Sequence, residues 1–208
     1  ALQQAAQCAR SLRDIDRAKA LAEKIPIAAV AATVRMENLL AQRDFDAIVA
    51  KFGDEEFSQW PFWQVGAAAF IRGQAYASTK SGDKAEADLQ TALQYTSDSR
   101  TRTSILATMG DNRESNLKDD RGALDAYRRN FESDDRIGAA DQVRSVQGAA
   151  RILTRQGEFD AAIATLKRAN IETLSGYWRH AMQVSLGDTF AAAGRRDEAT
   201  HAYRSVLN

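Results

Sequence analysis

Residues 157–166 read GEFDAAIATL, and the same frame returns at five other places: RDIDRAKALA (13–22), RDFDAIVAKF (43–52), KSGDKAEADL (80–89), KDDRGALDAY (118–127) and GRRDEATHAY (194–203). Each frame opens at a turn position. Five residues later stands a small or aliphatic residue: Ala18, Ile48, Ala85, Ala123, Ala162 and Ala199. Nine residues after the opening stands Ala22, Phe52, Leu89, Tyr127, Leu166 or Tyr203. Positions four apart share one face of a helix, so each frame predicts a turn followed by an amphipathic helix. Successive frames begin 30, 37, 38, 39 and 37 residues apart, which makes the pattern a repeat.

A second helix lies upstream of each turn. Its clearest forms are RGQAYASTK (72–80) and LGDTFAAAG (186–194), where Gly73 and Gly187 stand three residues before Tyr76 and Phe190. A glycine lets two helix backbones approach, and an aromatic ring nearby fills the space between them. Neither helix can bury its apolar stripe alone, so neighbouring pairs must stack. Two prolines, abundant alanine and no strand-like alternation complete an all-α reading.

This pattern resembles the tetratricopeptide repeat (TPR). Leu186, Gly187, Phe190, Gly194, Ala199 and Tyr203 carry the resemblance in the last repeat. Val146, Ala150, Leu153, Gly157, Ala162, Leu166 and Ala169 carry it in the one before. The resemblance implies a right-handed α-solenoid of five to six antiparallel helix pairs. It would form a single repeat domain over 1–208, with repeats near 1–26, 27–59, 60–97, 98–133, 134–171 and 172–208. Asn130 and Glu55 depart from the pattern at positions where the family has small apolar residues. The period also exceeds the family's length of about 34. Aromatic pairs at Phe62–Trp63 and Tyr177–Trp178 mark first helices lengthened by a turn, with Pro61 suited to a helix start. Those two pairs are expected to pack between successive repeats, leaving Trp60 as the aromatic to test as a contact. Both chain ends fall near repeat edges without a polar capping helix, so the chain is expected to be a domain cut from a longer protein.

The openings of the second helices are acidic: Asp14, Asp16, Asp44, Asp46, Asp83, Asp119, Asp120, Glu158, Asp160, Asp197 and Glu198. Negative charge at a helix N-terminus meets the positive end of the helix dipole. These carboxylates are therefore read as caps, and no metal site is expected of them.

The chain has 28 basic and 28 acidic residues, so no bulk attraction to nucleic acid or an anionic membrane is expected. Basic residues do not alternate with aromatics over several repeats, which also argues against a nucleic-acid partner. No apolar run reaches the ~18–20 residues that span a bilayer. The expectation is a soluble protein, cytoplasmic or periplasmic. His180 and His201 have no ligand-spaced partner, and Cys8 stands alone and reads as a small packing residue. No nucleophile elbow, phosphate loop or dinucleotide fingerprint is present, so neither a catalytic residue nor a cofactor is expected.

In the TPR family the first helices line a concave surface where ligands lie. Along 143–156, Arg144, Gln147, Arg151 and Arg155 form a polar stripe beside the apolar one. The preceding first helix ends in GDNRESN (110–116), where Asn112 and Asn116 stand one turn apart, and Asp188 stands in the following repeat. Two readings compete. In one, these seven residues are a peptide-binding site, the arginines gripping a carboxylate or acidic peptide and the asparagines holding its backbone. In the other, the arginines pair with Asp111, Glu114 and Asp141 on a solvated face. The matching positions toward the N-terminus, Thr33, Glu37, Leu40, Phe70, Gln74 and Ala77, show no chemical preference. The functional expectation is a non-catalytic protein-interaction scaffold that binds a protein or peptide segment. The alternative is an accessory or oligomerisation module of a larger enzyme or cell-envelope protein, bacterial by its excess of arginine over lysine. Homo-oligomerisation through the uncapped terminal repeats belongs with either.

Overall fold

The computed structural model describes residues 1–132, 139–169 and 174–206. Within them, every residue of positive φ opens one of the six frames: Arg13, Arg43, Lys80, Lys118, Gly157 and Gly194, with φ between 57° and 80°. The residue after each opener donates its N–H back across the turn. Asp14 reaches the carbonyl of Ala9, Asp44 that of Leu39, Ser81 that of Tyr76, Glu158 that of Leu153 and Arg195 that of Phe190. This closure, five residues back through a left-handed residue, satisfies carbonyls that the helix end would otherwise orphan. Four openers are Arg or Lys, for which the left-handed conformation costs about 1–2 kcal/mol. Arg43→Gly should therefore raise stability by about 0.5–1 kcal/mol, and Gly194→Ala should lower it by about 1 kcal/mol. Urea midpoints moving in those opposite directions would verify the turn assignment, and equal shifts would refute it.

The turns join twelve helices among the described residues. They are α1 (Leu2–Ser11), α2 (Ile15–Ala22), α3 (Ala28–Ala41), α4 (Phe45–Phe52), α5 (Phe62–Ser78), α6 (Gly82–Tyr95), α7 (Ser99–Asn112), α8 (Asp120–Phe131), α9 (Ala139–Arg155), α10 (Phe159–Arg168), α11 (Gly176–Ala192) and α12 (Arg196–Arg204). No strand occurs among the described residues, and no helix there is long and apolar enough to cross a membrane. Consecutive helices pack as pairs. They gather into two compact units: residues 1–97 hold α1–α6, and residues 98–208 hold α7–α12. The expected repeat edges near 133 and 171 lie outside the described residues.

The residue five beyond each turn is buried in every pair. The ninth is buried in five pairs, and Tyr203 is the one left 39% exposed. In the second unit Val143, Val146, Ala150 and Leu153 of α9 join Ala162 and Leu166 of α10 and Met182, Leu186 and Phe190 of α11 in one core. A fully buried leucine or valine there contributes about 1.5–3 kcal/mol. Asn130, polar where an apolar residue is expected, is buried and donates to the Ser145 hydroxyl at 2.6 Å, joining α8 to α9. Asp14, Asp44 and Asp119 accept the N–H groups of Arg17, Ala47 and Gly122 and so cap α2, α4 and α8. Ser81, Glu158 and Arg195, at the same place in α6, α10 and α12, make no such bond.

Two expectations fail. Phe62, Trp63 and Tyr177 are 69%, 59% and 74% exposed, so they do not pack between successive helix pairs. Each pair instead stacks edge-to-face on itself, at 5.2 Å for Phe62–Trp63 and 4.9 Å for Tyr177–Trp178, and Trp178 alone reaches the core. For Phe62–Trp63 the reason is helix length. At Gly66 an added Cβ would sit 3.0 Å from the carbonyl of Tyr95, where α6 ends. The turn of α5 before Gly66 runs past that end. Cys8 is the second failure, being exposed and not packed.

Candidate functional site

The polar stretch 110–116 departs from α-helix. After α7 the chain makes a π-helical turn, Arg113–Leu117, before Lys118 turns it into α8. A π turn takes in one residue more than an α turn and is frequent at functional sites. The insertion shows in the closing bond: Asp119 N–H reaches back six residues, to Arg113. It also shows in the spacing of a Gly-Asp pair to its tyrosine. Gly110 precedes Tyr127 by 17 residues, whereas Gly187 precedes Tyr203 by 16.

That pair has a clear physical role. A Cβ on Gly187 would stand 2.3 Å from the Tyr203 ring, and Asp188 accepts the Tyr203 hydroxyl at 2.7 Å. Glycine makes room for the ring and the adjacent aspartate takes its hydroxyl. Tyr127 repeats this with Gly110 and Asp111, and Gly148 of α9 closes on its other edge.

The extra residue carries Glu114 inward, where only 8% of it is exposed. Arg151 grips its carboxylate with two bonds, Nε to Oε1 at 2.9 Å and Nη2 to Oε2 at 2.6 Å. Arg155 reaches Glu114 at 3.4 Å and Asp120 at 2.7 Å. Tyr127 lies 3.2 Å from Oε2. Burial would raise the Glu114 carboxyl, but bonding to Arg151 and its charge, with Arg155 and Tyr127 adding, hold it below the usual glutamate range. Burial, then the charge of Asp111, pushes the Tyr127 phenol up, so it stays neutral and donates.

Each residue singled out in the sequence falls on α7, α9, α11 or the π turn. Arg144 pairs with Asp111. Gln147 donates to the Ser185 hydroxyl at 2.7 Å and to the Ala181 carbonyl at 3.1 Å, joining α9 to α11. Asn112 is buried, and Asn116 donates to it at 2.9 Å. Asp141 accepts from Ser104 at 2.7 Å. Two clefts result along α9. One, of about 510 Å³, runs between Asp111 and Ser115 on one side and Asp141 and Trp178 on the other. The other, of about 290 Å³, runs between α9 and Ser185, Asp188 and Thr189. Gln147 and Arg151 line both. In the first unit, the corresponding Glu37 is taken by Arg10, which also donates to Asn38 at 3.1 Å. Among the described residues, no group of three or more His, Cys, Asp or Glu is placed to hold a metal ion.

This arrangement of helix pairs matches a solved structure, YrrB, described as a TPR protein with an unusual peptide-binding site. The match covers 97% of this chain and 81% of that one at a TM-score of 0.52, with 15% sequence identity. The chain has the tetratricopeptide-repeat fold. No family model and no curated protein matches the sequence. Within the repeat fold, the Gly-Asp-to-Tyr pairing and the π turn are the features that sequence reasoning missed. The recurrence of Gly-Asp at 110–111 and 187–188, ahead of the two ninth-position tyrosines, was the signal that could have found the first.

Proposed function

We propose that the chain is a non-catalytic protein-interaction scaffold that holds an extended polypeptide segment along α9, on the face shared by α7, α9 and α11. The observation that carries this reading is the pair of adjoining clefts sharing Gln147 and Arg151. Along them Arg144, Gln147 and Arg151 alternate with Asp111, Asp141 and Asp188 and offer both donors and acceptors. A polypeptide backbone needs both. The arginines enter as halves of ion pairs, so Arg155, Asn112 and Asn116 serve by fixing Glu114 and the π turn under the site. The repeat fold and YrrB's described peptide-binding site support the reading.

The test must leave the ion pairs intact, because removing Arg151 would strand buried Glu114. Ser115 is exposed on the rim of the larger cleft, and Ser115→Trp would fill it. Random peptides displayed on phage are first enriched on the whole chain. The enriched peptides should bind Ser115→Trp at least about tenfold more weakly. Its melting temperature should stay within about 2 °C, as for other surface substitutions. Failure to enrich any peptide, or equal binding by the variant, would rule the site out.

A further inference from the structure

In the first unit, the segment between α4 and α5 folds back onto one arginine. Arg72 of α5 donates to both carboxylate oxygens of Asp88 at 2.7 and 2.8 Å, and to the carbonyls of Phe52 and Glu55 at 2.9 and 2.7 Å. Its guanidinium lies 4.1 Å above the Phe57 ring. Trp60 packs edge-on against Phe57 at 4.9 Å. Across from it, the missing side chain at Gly66 brings the end of α6, and with it Tyr95, against α5 just beyond its first turn. Between these parts opens a cleft of about 750 Å³, walled by Trp60, Phe62 and Tyr95 and rimmed by Glu55 and Glu56.

Phe62 and Tyr95 are 69% and 47% exposed, a large apolar area to leave in water. The charge on the cleft has one sign. Arg72 and Asp88 cancel in its floor. Glu55 and Glu56 are both exposed, and neither is ion-paired among the described residues. Aromatic faces attract cations, and a carboxylate rim completes the charge match. A lysine or arginine also lays an apolar stem along the rings while its charged head reaches the rim. The stacking of Arg72 on Phe57 shows the same contact inside the fold.

We infer that this cleft docks a basic polypeptide segment in which lysine or arginine stands beside aliphatic residues. It is built from α5, α6 and the α4–α5 segment, so it shares no residue with the face along α9.

Two synthetic peptides test the inference: one with lysines set among leucine and valine, and its counterpart with each lysine replaced by glutamate. In fluorescence titrations of the full chain, the lysine peptide should saturate and the glutamate peptide should bind at least about tenfold more weakly. Glu55→Lys with Glu56→Lys should invert that order. Phe62→Ser, at an exposed side chain, should weaken both. Ser115→Trp should change neither, which separates this cleft from the one in the second unit. Absence of binding, equal binding of the two peptides, an unchanged order in the charge-reversed variant, or loss of binding in Ser115→Trp would each overturn it. So would self-association that Phe62→Ser abolishes, because a second copy of the chain would then be what covers the cleft.

Discussion

Arg72→Met should destabilise the first unit by about 3–5 kcal/mol, the usual cost of removing one partner from a buried ion pair. Both side chains of the Arg72–Asp88 pair are about one-tenth exposed. Without the guanidinium, the Asp88 carboxylate, only about one-tenth exposed, loses the two donors that hold it. The carbonyls of Phe52 and Glu55 lose their donor too, and Phe57 loses its stacked cation. Trp60 and Trp63 lie in this unit and Trp178 in the other, so fluorescence and circular dichroism in urea can follow the affected unit within the whole chain. Adding Asp88→Leu should recover most of the loss, because an apolar pair in place of a buried ion pair is often neutral or better. If the two losses simply add, Asp88 is not stranded and the account of Arg72 is wrong.

Much of the fold was legible because the repeat concentrates its signal in few positions. A small or aliphatic residue five beyond a turn is buried in all six second helices, and the residue nine beyond it is buried in all but the last. The same frame located the left-handed residues, although Arg13, Arg43, Lys80 and Lys118 do not announce that conformation by type. Repeat alignment misled at the aromatic pairs. It showed that Phe62–Trp63 and Tyr177–Trp178 occupy equivalent places, but equivalence says nothing of burial. Phe62 and Trp63 lie on the turn of α5 that runs past the end of α6, whereas Tyr177 is exposed and Trp178 reaches the core.

The site was half legible. The polar stripe on α9 follows from helical period, and Asp111 and Glu114 were among the candidate partners of its arginines. What periodicity within one helix cannot supply is which acid meets which arginine. The answers lie about one repeat away: Arg144 to Asp111 spans 33 residues, Arg151 to Glu114 spans 37, and Gln147 to Ser185 spans 38. The π turn was hidden for a different reason. GDNRESN offers no apolar rhythm whose slip by one residue could be seen.

Beside the π turn lies the seat of Tyr127, where Gly148→Ala should cost about 3 kcal/mol, at the upper end for overpacking a core. The new Cβ would stand 2.4 Å from the ring. The ring cannot retreat, because at its other edge Gly110 has room for no Cβ either, at 2.3 Å. Tyr127 is fully buried, and its hydroxyl is tied to Asp111 and Glu114. Tyr127→Leu should itself cost about 2–3 kcal/mol, since Asp111 and Glu114 lose the one hydroxyl proton they share. Leucine has no ring to meet the new methyl, however, so Gly148→Ala made in that background should cost about 1–2 kcal/mol less than in the wild type. Tyr127→Phe separates the two effects. It gives up the hydroxyl but keeps the ring, so it should lose about 2 kcal/mol and leave the penalty of Gly148→Ala intact. Urea unfolding of these single and double variants measures the coupling. A double variant of Tyr127→Leu and Gly148→Ala that is additive within about 0.5 kcal/mol would mean the ring has somewhere to go, and that the glycines do not fix it.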